Sequence, residues 1–341
     1  MKDSYENKQI RESLGKIAVV ILNKDNAEGL RRALESLIDQ SCPPCECFDI
    51  YVVDGGSRDR SREVFNLISR GRDCMFFIEQ SIKGGTGPAR REIIEKLMRE
   101  GYRVVIWGDS ENIYDRNYVR EILERFEKIK SLRKNQVVIV SGESIVRNTS
   151  IWSHIFFWYH TYHQLFPIGV GDRHAPGNNK CEDIEVYRFF VYPPCTRSED
   201  YIFSYYLYKN FRSKITYEHA SNAIVYVSIP DSFRDVIKWQ KARVKGLVEC
   251  SRMIKYRYPP DLYMWLSFLL YNVIMIILSL AGFISIALFY LISIVMAIVF
   301  LQLRSYKLVE RPRFFTGLLG YIGLLLHAFF TVYYTVKFSE S

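Results

Sequence analysis

Near the middle of the chain a run of Val104, Val105, Ile106 and Trp107 stops at Gly108-Asp109-Ser110-Glu111. A strand inside a sheet is apolar, so ionised carboxylates appear only where it emerges, and a cation must offset their desolvation. Asp109 and Glu111 are two residues apart, and extended backbone points both side chains the same way. Such oxygen ligands suit a hard divalent ion, Mg2+ or Mn2+, which keeps open positions for phosphate oxygens. An isolated Asp-x-Glu is more often a solvated loop or a helix cap; the place at a strand end lifts this one. A second apolar run, "FDIYVVD" from Phe48 to Asp54, ends the same way.

The elements that would position these groups alternate. "KIAVVIL" (Lys16 to Leu22) is a short β-branched run, and the following "AEGLRRALESLIDQ" repeats Leu30, Ala33, Leu34, Leu37 and Ile38 at helical spacing. After "FDIYVVD" come the helical "SREVFNLISR", then "CMFFIEQ", "ARREIIEKLMREG", "RVVIWGD" and "QVVIVSGE". This βαβα order predicts an α/β fold with a mostly parallel sheet and helices on its faces, with ligands at the carboxyl ends of the strands.

The 341 residues carry 46 Lys and Arg against 37 Asp and Glu, a formal net charge of +9 that favours an anionic partner such as nucleotide phosphate or a membrane. From Leu262 to Leu303 no residue is charged, enough for two helices across a hydrocarbon core of ~30 Å, with Ala281-Gly282 as the turn. Phe314 to Val336 reads as a third membrane helix, interrupted in polarity by His327. Arg252, Lys255 and Arg257 precede the first span, and Arg304, Lys307, Arg311 and Arg313 link the second to the third, so the positive-inside rule places the N-terminal part in the cytoplasm of a multi-pass cell-membrane protein. The opening "MKDSYENKQIRESLGK" is polar and offers no secretory leader. Phe233, Val236, Ile237, Val244, Leu247, Val248 and Ile254 mark one helical face, with Arg234, Lys238, Lys241, Lys245, Arg252 and Lys255 beside it, the pattern of an amphipathic helix on anionic headgroups. The expected division is a polar segment 1–15, a catalytic domain 16–230, the interfacial helix 231–258 and a membrane domain 259–338 with spans near 262–280, 284–302 and 314–336.

Taken in order, "AVVILNKDNAEGLRRALESLIDQ", "IYVVDGGSRDRSREV", "GGTGPARREI", "VVIWGDSEN", "APGNN", "SEDYIFSYYL" and "QKARVKG" resemble the successive motifs of the family-2 inverting glycosyltransferases of the GT-A fold, in the branch of dolichyl-phosphate-sugar and polysaccharide synthases. The resemblance covers roughly residues 16 to 250. It implies that Asn23, Asp25, Glu28 and Asp54 hold the nucleobase and ribose of a nucleotide-sugar donor, that Gly84, Gly85, Gly87 and Arg90 lie where the chain approaches it, and that Asp109 and Glu111 replace the family's metal-binding Asp-x-Asp. Asp54-Gly55-Gly56-Ser57 stands where Asp-Asp-Gly-Ser is usual, so one polar contact is missing. Asp200 matches the aspartate taken as general base, whereas without the resemblance Glu199 and Asp200 read as acids favoured at a helix N-terminus. Gly177, Asn178 and Glu199 fall on the acceptor side. Gln240 and Arg243 match the Gln-x-x-Arg-Trp box, with Arg243 toward donor phosphate and Val244 in place of the tryptophan; that change weakens a polymerase reading.

The function expected is a membrane-bound, metal-dependent inverting hexosyltransferase. It would move a sugar from GDP-mannose or UDP-glucose, as a mannosyltransferase in the first case, to a lipid or lipid-linked glycan acceptor, giving a glycolipid, with no nucleic-acid partner. The alternatives are a processive polysaccharide synthase and a catalytically silent nucleotide-sugar-binding scaffold. Cys42, Cys45 and Cys47 form a Cys-x-x-Cys-x-Cys cluster with no fourth ligand nearby, expected as reduced loop thiols with a local disulfide as the other choice. The aromatic stretch Ile151 to Val170 holds His154, His160 and His163, whose spacing does not place all three on one helical face.

Overall fold

A computed structural model describes residues 11–165 and 175–340, apart from the side chains of His163 and Gln164. Contacts divide the chain into two units, residues 1–144 with 161–227, and residues 145–160 with 228–341.

The first unit is built on an eight-stranded sheet in the order β3-β2-β1-β4-β7-β6-β8-β5. Strands β1 (Lys16–Asn23), β2 (Asp49–Asp54), β3 (Met75–Glu79) and β4 (Tyr102–Asp109) are mutually parallel. They are joined by helices α1 (Ala27–Ile38), α2 (Ser61–Ile68) and α3 (Thr86–Arg99), as the alternating pattern requires. Past β4 the sheet changes character. β7 (Lys180–Asp183) runs antiparallel to both β4 and β6 (Val137–Val146), and β5 (Ile113–Tyr114) antiparallel to β8 (Ile215–Val227). The helices α4 (Tyr118–Leu132) and α7 (Glu199–Phe211) complete the site's frame; the short helices α5 (Ile151–Ile155) and α6 (Tyr162–Leu165) lie between them in sequence. Ile17 to Ile21 and Val105 to Trp107 are fully buried, which is why these strands read as continuous apolar runs instead of alternating ones.

The loop before β2 differs from the reduced-thiol expectation. Cys42 is bridged to Cys47, and Cys45 to Cys74, 29 residues away at the start of β3. The fourth sulfur comes from sheet neighbours, which local spacing does not reveal.

In the second unit, α8 (Phe233–Met253) is followed by three helices long and apolar enough to cross a membrane: α9 (Leu262–Leu280), α10 (Ile284–Leu308) and α11 (Thr316–Ser339). The turn between α9 and α10 falls at Ala281 and Gly282, whose φ of +88° suits glycine. Asn272 ties the three together: its Oδ1 accepts from Tyr290 at 2.9 Å and from Tyr321 at 2.8 Å. The apolar face of α8 is taken by α11, with Val244 and Val248 against Phe330 and Tyr334. Arg234, Lys238, Lys241 and Lys245 are left exposed.

Candidate active site

The parallel strands end in line. Asn23 stands opposite Asp54, Leu22 opposite Asp109, and Asp54 opposite Glu79, so one edge of the sheet collects the polar residues that terminate each apolar run. Asp54 is buried and fully engaged. One oxygen accepts from the amides of Gly56 and Ser57 at 2.9 and 2.7 Å, the other from Ser57 Oγ and Asn23 Nδ2, both at 2.7 Å. Asp25 joins this corner: its amide donates to Ser57 Oγ at 2.8 Å and its Oδ1 accepts from the Arg58 amide at 2.7 Å. Asn23 Oδ1 remains a buried acceptor without a protein partner. Glu28 is elsewhere. It lies on the exposed face of α1, 2.7 Å from Arg31, whose hydrogen bond holds its carboxyl below the usual range.

Arg90, on α3, is the centre of a second cluster. Its Nε donates to Glu199 at 2.8 Å and an Nη to the carbonyl of Gly177 at 2.7 Å, while the guanidinium lies 4.4 Å from the Trp107 ring. Its other terminal nitrogen is buried and has no partner. Glu199 is equally buried and also accepts from Thr86 Oγ1 at 2.5 Å. Asp200, the next residue of α7, accepts from the Gly177 amide at 2.8 Å. A Cβ on Gly177 would stand 2.8 Å from Arg90 and 2.9 Å from Asp200, so glycine lets this turn pass between them with both side chains in place. Asn178 and Asn112 clasp each other, Asn112 Nδ2 donating to the Asn178 carbonyl at 2.6 Å.

Gly85 and Gly87 are crowded by the chain itself. A Cβ at Gly87 would lie 2.3 Å from the carbonyl of Pro193 and one at Gly85 2.2 Å from that of Thr196. The amides of Thr86 and Gly87 donate to Thr196 and Cys195, which binds the start of α3 to the chain itself. Gly84, with φ +147°, has more room: a Cβ there would meet Pro88 at 3.5 Å.

Asp109 closes β4 beside this cluster. Burial pushes its carboxyl up to about 7; Arg90 opposes that, and the neighbouring Glu111, Glu199 and Asp200 add to it. Glu111 keeps contact with solvent, yet the protein crowded around it raises its carboxyl too, with Arg197 opposing. Two residues missed in the sequence complete the charge pattern. Lys180 and Glu182 on β7 are both wholly buried and 2.8 Å apart, and Glu182 also accepts from Trp107 Nε1 at 2.8 Å. Burial lowers the Lys180 ammonium, while Glu182 and the nearby Asp200 favour its charge. The signal was present: a Lys and a Glu two apart in a strand share one face. Among the described residues, four carboxyl groups, those of Asp109, Glu182, Glu199 and Asp200, stand around the two cations Arg90 and Lys180, two more acids than bases. That surplus and the oxygen-only donor set fit a divalent cation at Asp109 and Glu111. Among the described residues no third Asp, Glu, His or Cys joins them as a ligand group, which leaves the remaining positions to ligand oxygens and water.

The expected donor residues Gln240 and Arg243 belong to α8, in the second unit. Gln240 Nε2 meets His327 Nδ1 at 3.3 Å, and Arg243 donates to Gln240 Oε1 at 3.0 Å and to Thr331 Oγ1.

Residues 17–178 match the family model described as glycosyl transferase family 2. Residues 17–178 are a family-2 glycosyltransferase domain, and the chain has a GT-A-like fold. Among solved structures, this glycosyltransferase is similar to a mannosyltransferase from Pyrobaculum calidifontis, PcManGT, in complex with GDP-Man and Mn2+. That match has 14% identity and a TM-score of 0.58, and covers 97% of this chain and 94% of the other. Residues 1–349 of TarS from S. aureus match at 15% identity over 69% of this chain and 66% of that one, with a TM-score of 0.44 that carries no weight for the fold. No curated protein matches the sequence.

Proposed function

We propose that this glycosyltransferase moves a hexose from a nucleotide sugar to a lipid or lipid-linked glycan, with inversion, at the cytoplasmic face of a cell membrane. The observation that carries the reading is the convergence of Asp109, Glu199 and Asp200, from two separate elements, on the buried Arg90, which keeps one terminal nitrogen without a protein partner. Asp109 and Glu111 would hold a Mn2+ or Mg2+ ion, which when bound supplies Lewis-acid stabilisation of the charge developing on the departing nucleotide. The partnerless nitrogen of Arg90 is a donor for an anionic oxygen, and the buried Asn23 Oδ1 in the corner knitted by Asp54 and Asp25 is an acceptor for the nucleoside end. Asp200, oriented by the Gly177 amide, removes the proton of the acceptor hydroxyl as that oxygen attacks the anomeric carbon; one base and one displacement give inversion. Glu199 holds Arg90 in place instead of meeting the acceptor. Glu28, Gln240 and Arg243 are left out of the donor set because their side chains are engaged by Arg31, His327 and Thr331.

GDP-mannose is the first donor to test and UDP-glucose the second, the former supported by the GDP-Man carried by PcManGT. The apolar helices α9 and α10 and the cationic residues Arg304, Lys307, Arg311 and Arg313 support a membrane location with the first unit on the cytoplasmic side. The test is turnover of a nucleotide-sugar panel by the detergent-purified full chain, with Mn2+ or Mg2+ and a native lipid extract. Turnover of one donor that requires both metal and lipid is expected; donors that bind and never turn over with any acceptor would refute the transferase reading.

A further inference from the structure

The three long apolar helices differ in what surrounds them. In its most apolar stretch α11 is 56% buried, against 17% for α9 and 6% for α10. Direction matters more than burial. The helix α9 runs from Leu262 to the turn at Ala281-Gly282 and α10 comes back, so a third crossing would have to run the way α9 does. Instead, α11 runs against it: Tyr321 donates to Asn272 and packs edge-on to Phe268, and the His327 ring lies 4.7 Å from Trp265, so rising numbers in α11 meet falling numbers in α9.

Past Trp265, α11 continues beside α8, in parallel. Gln240 meets His327, Arg243 meets Thr331, Val244 and Val248 meet Phe330 and Tyr334, and Arg252 donates to the carbonyls of Phe338 and Ser339 at 3.0 and 2.9 Å. On its outer side α8 exposes Arg234, Lys238, Lys241 and Lys245, which fall in one stripe at helical spacing. Side chains of that kind, side by side on one helix, stay in water or among headgroups. The other end of α11 is tied to the cationic link after α10, where the Arg313 amide donates to Thr316 Oγ1 at 2.8 Å and Gln302 donates to the Arg313 carbonyl at 2.9 Å. Both ends are therefore held by charged segments that the hydrocarbon core excludes.

We infer that α11 is not a third span: the α9–α10 hairpin alone crosses the bilayer, and α11 lies at the surface from which the hairpin enters. The inference rests on the membrane reading above. The exposed residues Leu318, Ile322, Phe329, Tyr333 and Val336 form one helical stripe and give α11 an apolar face toward the acyl boundary. The lipid-contacting amphipathic element of this layer is then α11, with α8 covering its back and turning cations outward. The C-terminus lies on the same side of the membrane as α8.

The experiment labels three full-chain variants, Lys245→Cys, Ala281→Cys and Glu340→Cys, with a membrane-impermeant maleimide in sealed vesicles of each orientation, against the unsubstituted chain. Positions 245 and 340 are expected to react in one orientation and position 281 in the other. Position 340 reacting together with 281 would overturn the inference in favour of three spans, and all three reacting in one orientation would overturn the crossing of the hairpin. A protease-cleavable tag after Ser341 of the otherwise unchanged chain gives a second measure, cut only in the orientation that labels position 245. Release of the chain by alkaline carbonate is the separate outcome that refutes the membrane reading itself, and the inference with it.

Discussion

Among the described residues two arginines are buried, and they do opposite things. Arg90 sits in the first unit among more carboxylates than cations, holds Glu199 and the Gly177 carbonyl, and keeps one nitrogen without a partner. Arg243, in the second unit, donates to the neutral oxygens of Gln240 and Thr331, with Asp261 4.0 Å away as a counter-charge. Among the described residues the first environment holds more acids than cations, and the second sets a carboxylate beside its arginine. Desolvated charge that the protein itself does not neutralise marks a place for a ligand, whereas a neutralised arginine between two helices marks an anchor. The same motif family nominated both residues for donor binding; their surroundings separate them.

The comparison can be broken in several ways. Replacing the base, Asp200→Asn, is expected to lower transfer by about 10²–10⁴-fold while donor binding persists, measured by turnover and by donor titration; transfer at the original rate would remove Asp200 from the role. Arg90→Met leaves Glu199 buried and unpaired, an expected loss of about 3–5 kcal/mol in denaturant unfolding, together with weaker donor binding. If donor affinity is unchanged, Arg90 is only a structural clamp.

A pH series sharpens the charge argument. In the metal-free protein the Asp109 carboxyl is raised to about 7, so between its ordinary range and that value the folded state holds a proton that the unfolded state has released. The associated stability is fully present in acid and is lost as pH rises through about 7; an added divalent ion should restore it. Proton and metal then compete, and Mn2+ affinity should fall about tenfold per pH unit below about 7, as read by metal titration. An affinity flat across that range would detach Asp109 from the metal.

Smaller effects are expected in the second unit. Arg243→Met removes the charged donor to Gln240 and Thr331 and the cation 4.0 Å from buried Asp261, about 2–3 kcal/mol of stability, and should leave donor affinity alone; a loss of donor binding comparable to that of Arg90→Met would return Arg243 to the donor site. Asn272→Leu, which breaks the tie to Tyr290 and Tyr321, is expected to cost roughly 0.6 kcal/mol in thermal unfolding, and a much larger loss would mean that these bonds hold the helices together instead of helping packing.

Much of this was legible in the residues themselves. The apolar runs Ile17–Leu22, Ile50–Val53 and Val104–Trp107 cannot be anything but buried strands once helices alternate with them, and a buried strand that ends in Asp must present it at the sheet's edge. The uncharged stretch from Leu262 to Leu303 likewise fixes a helical hairpin, with Gly282 supplying the turn. These are short-range properties, since period, charge and backbone freedom are set within a few residues. What the tertiary structure decided are the pairings between residues distant in sequence. Only folding shows that Cys45 is bridged to Cys74, that Lys180 and Glu182 share the buried cluster of Arg90, and that Gly85 and Gly87 make room for Thr196 and Pro193. Hydropathy reports that α11 is apolar; it does not say whether lipid or protein meets that surface. That depends on how α11 packs against α8 and α9, a relation between helices that no local pattern encodes.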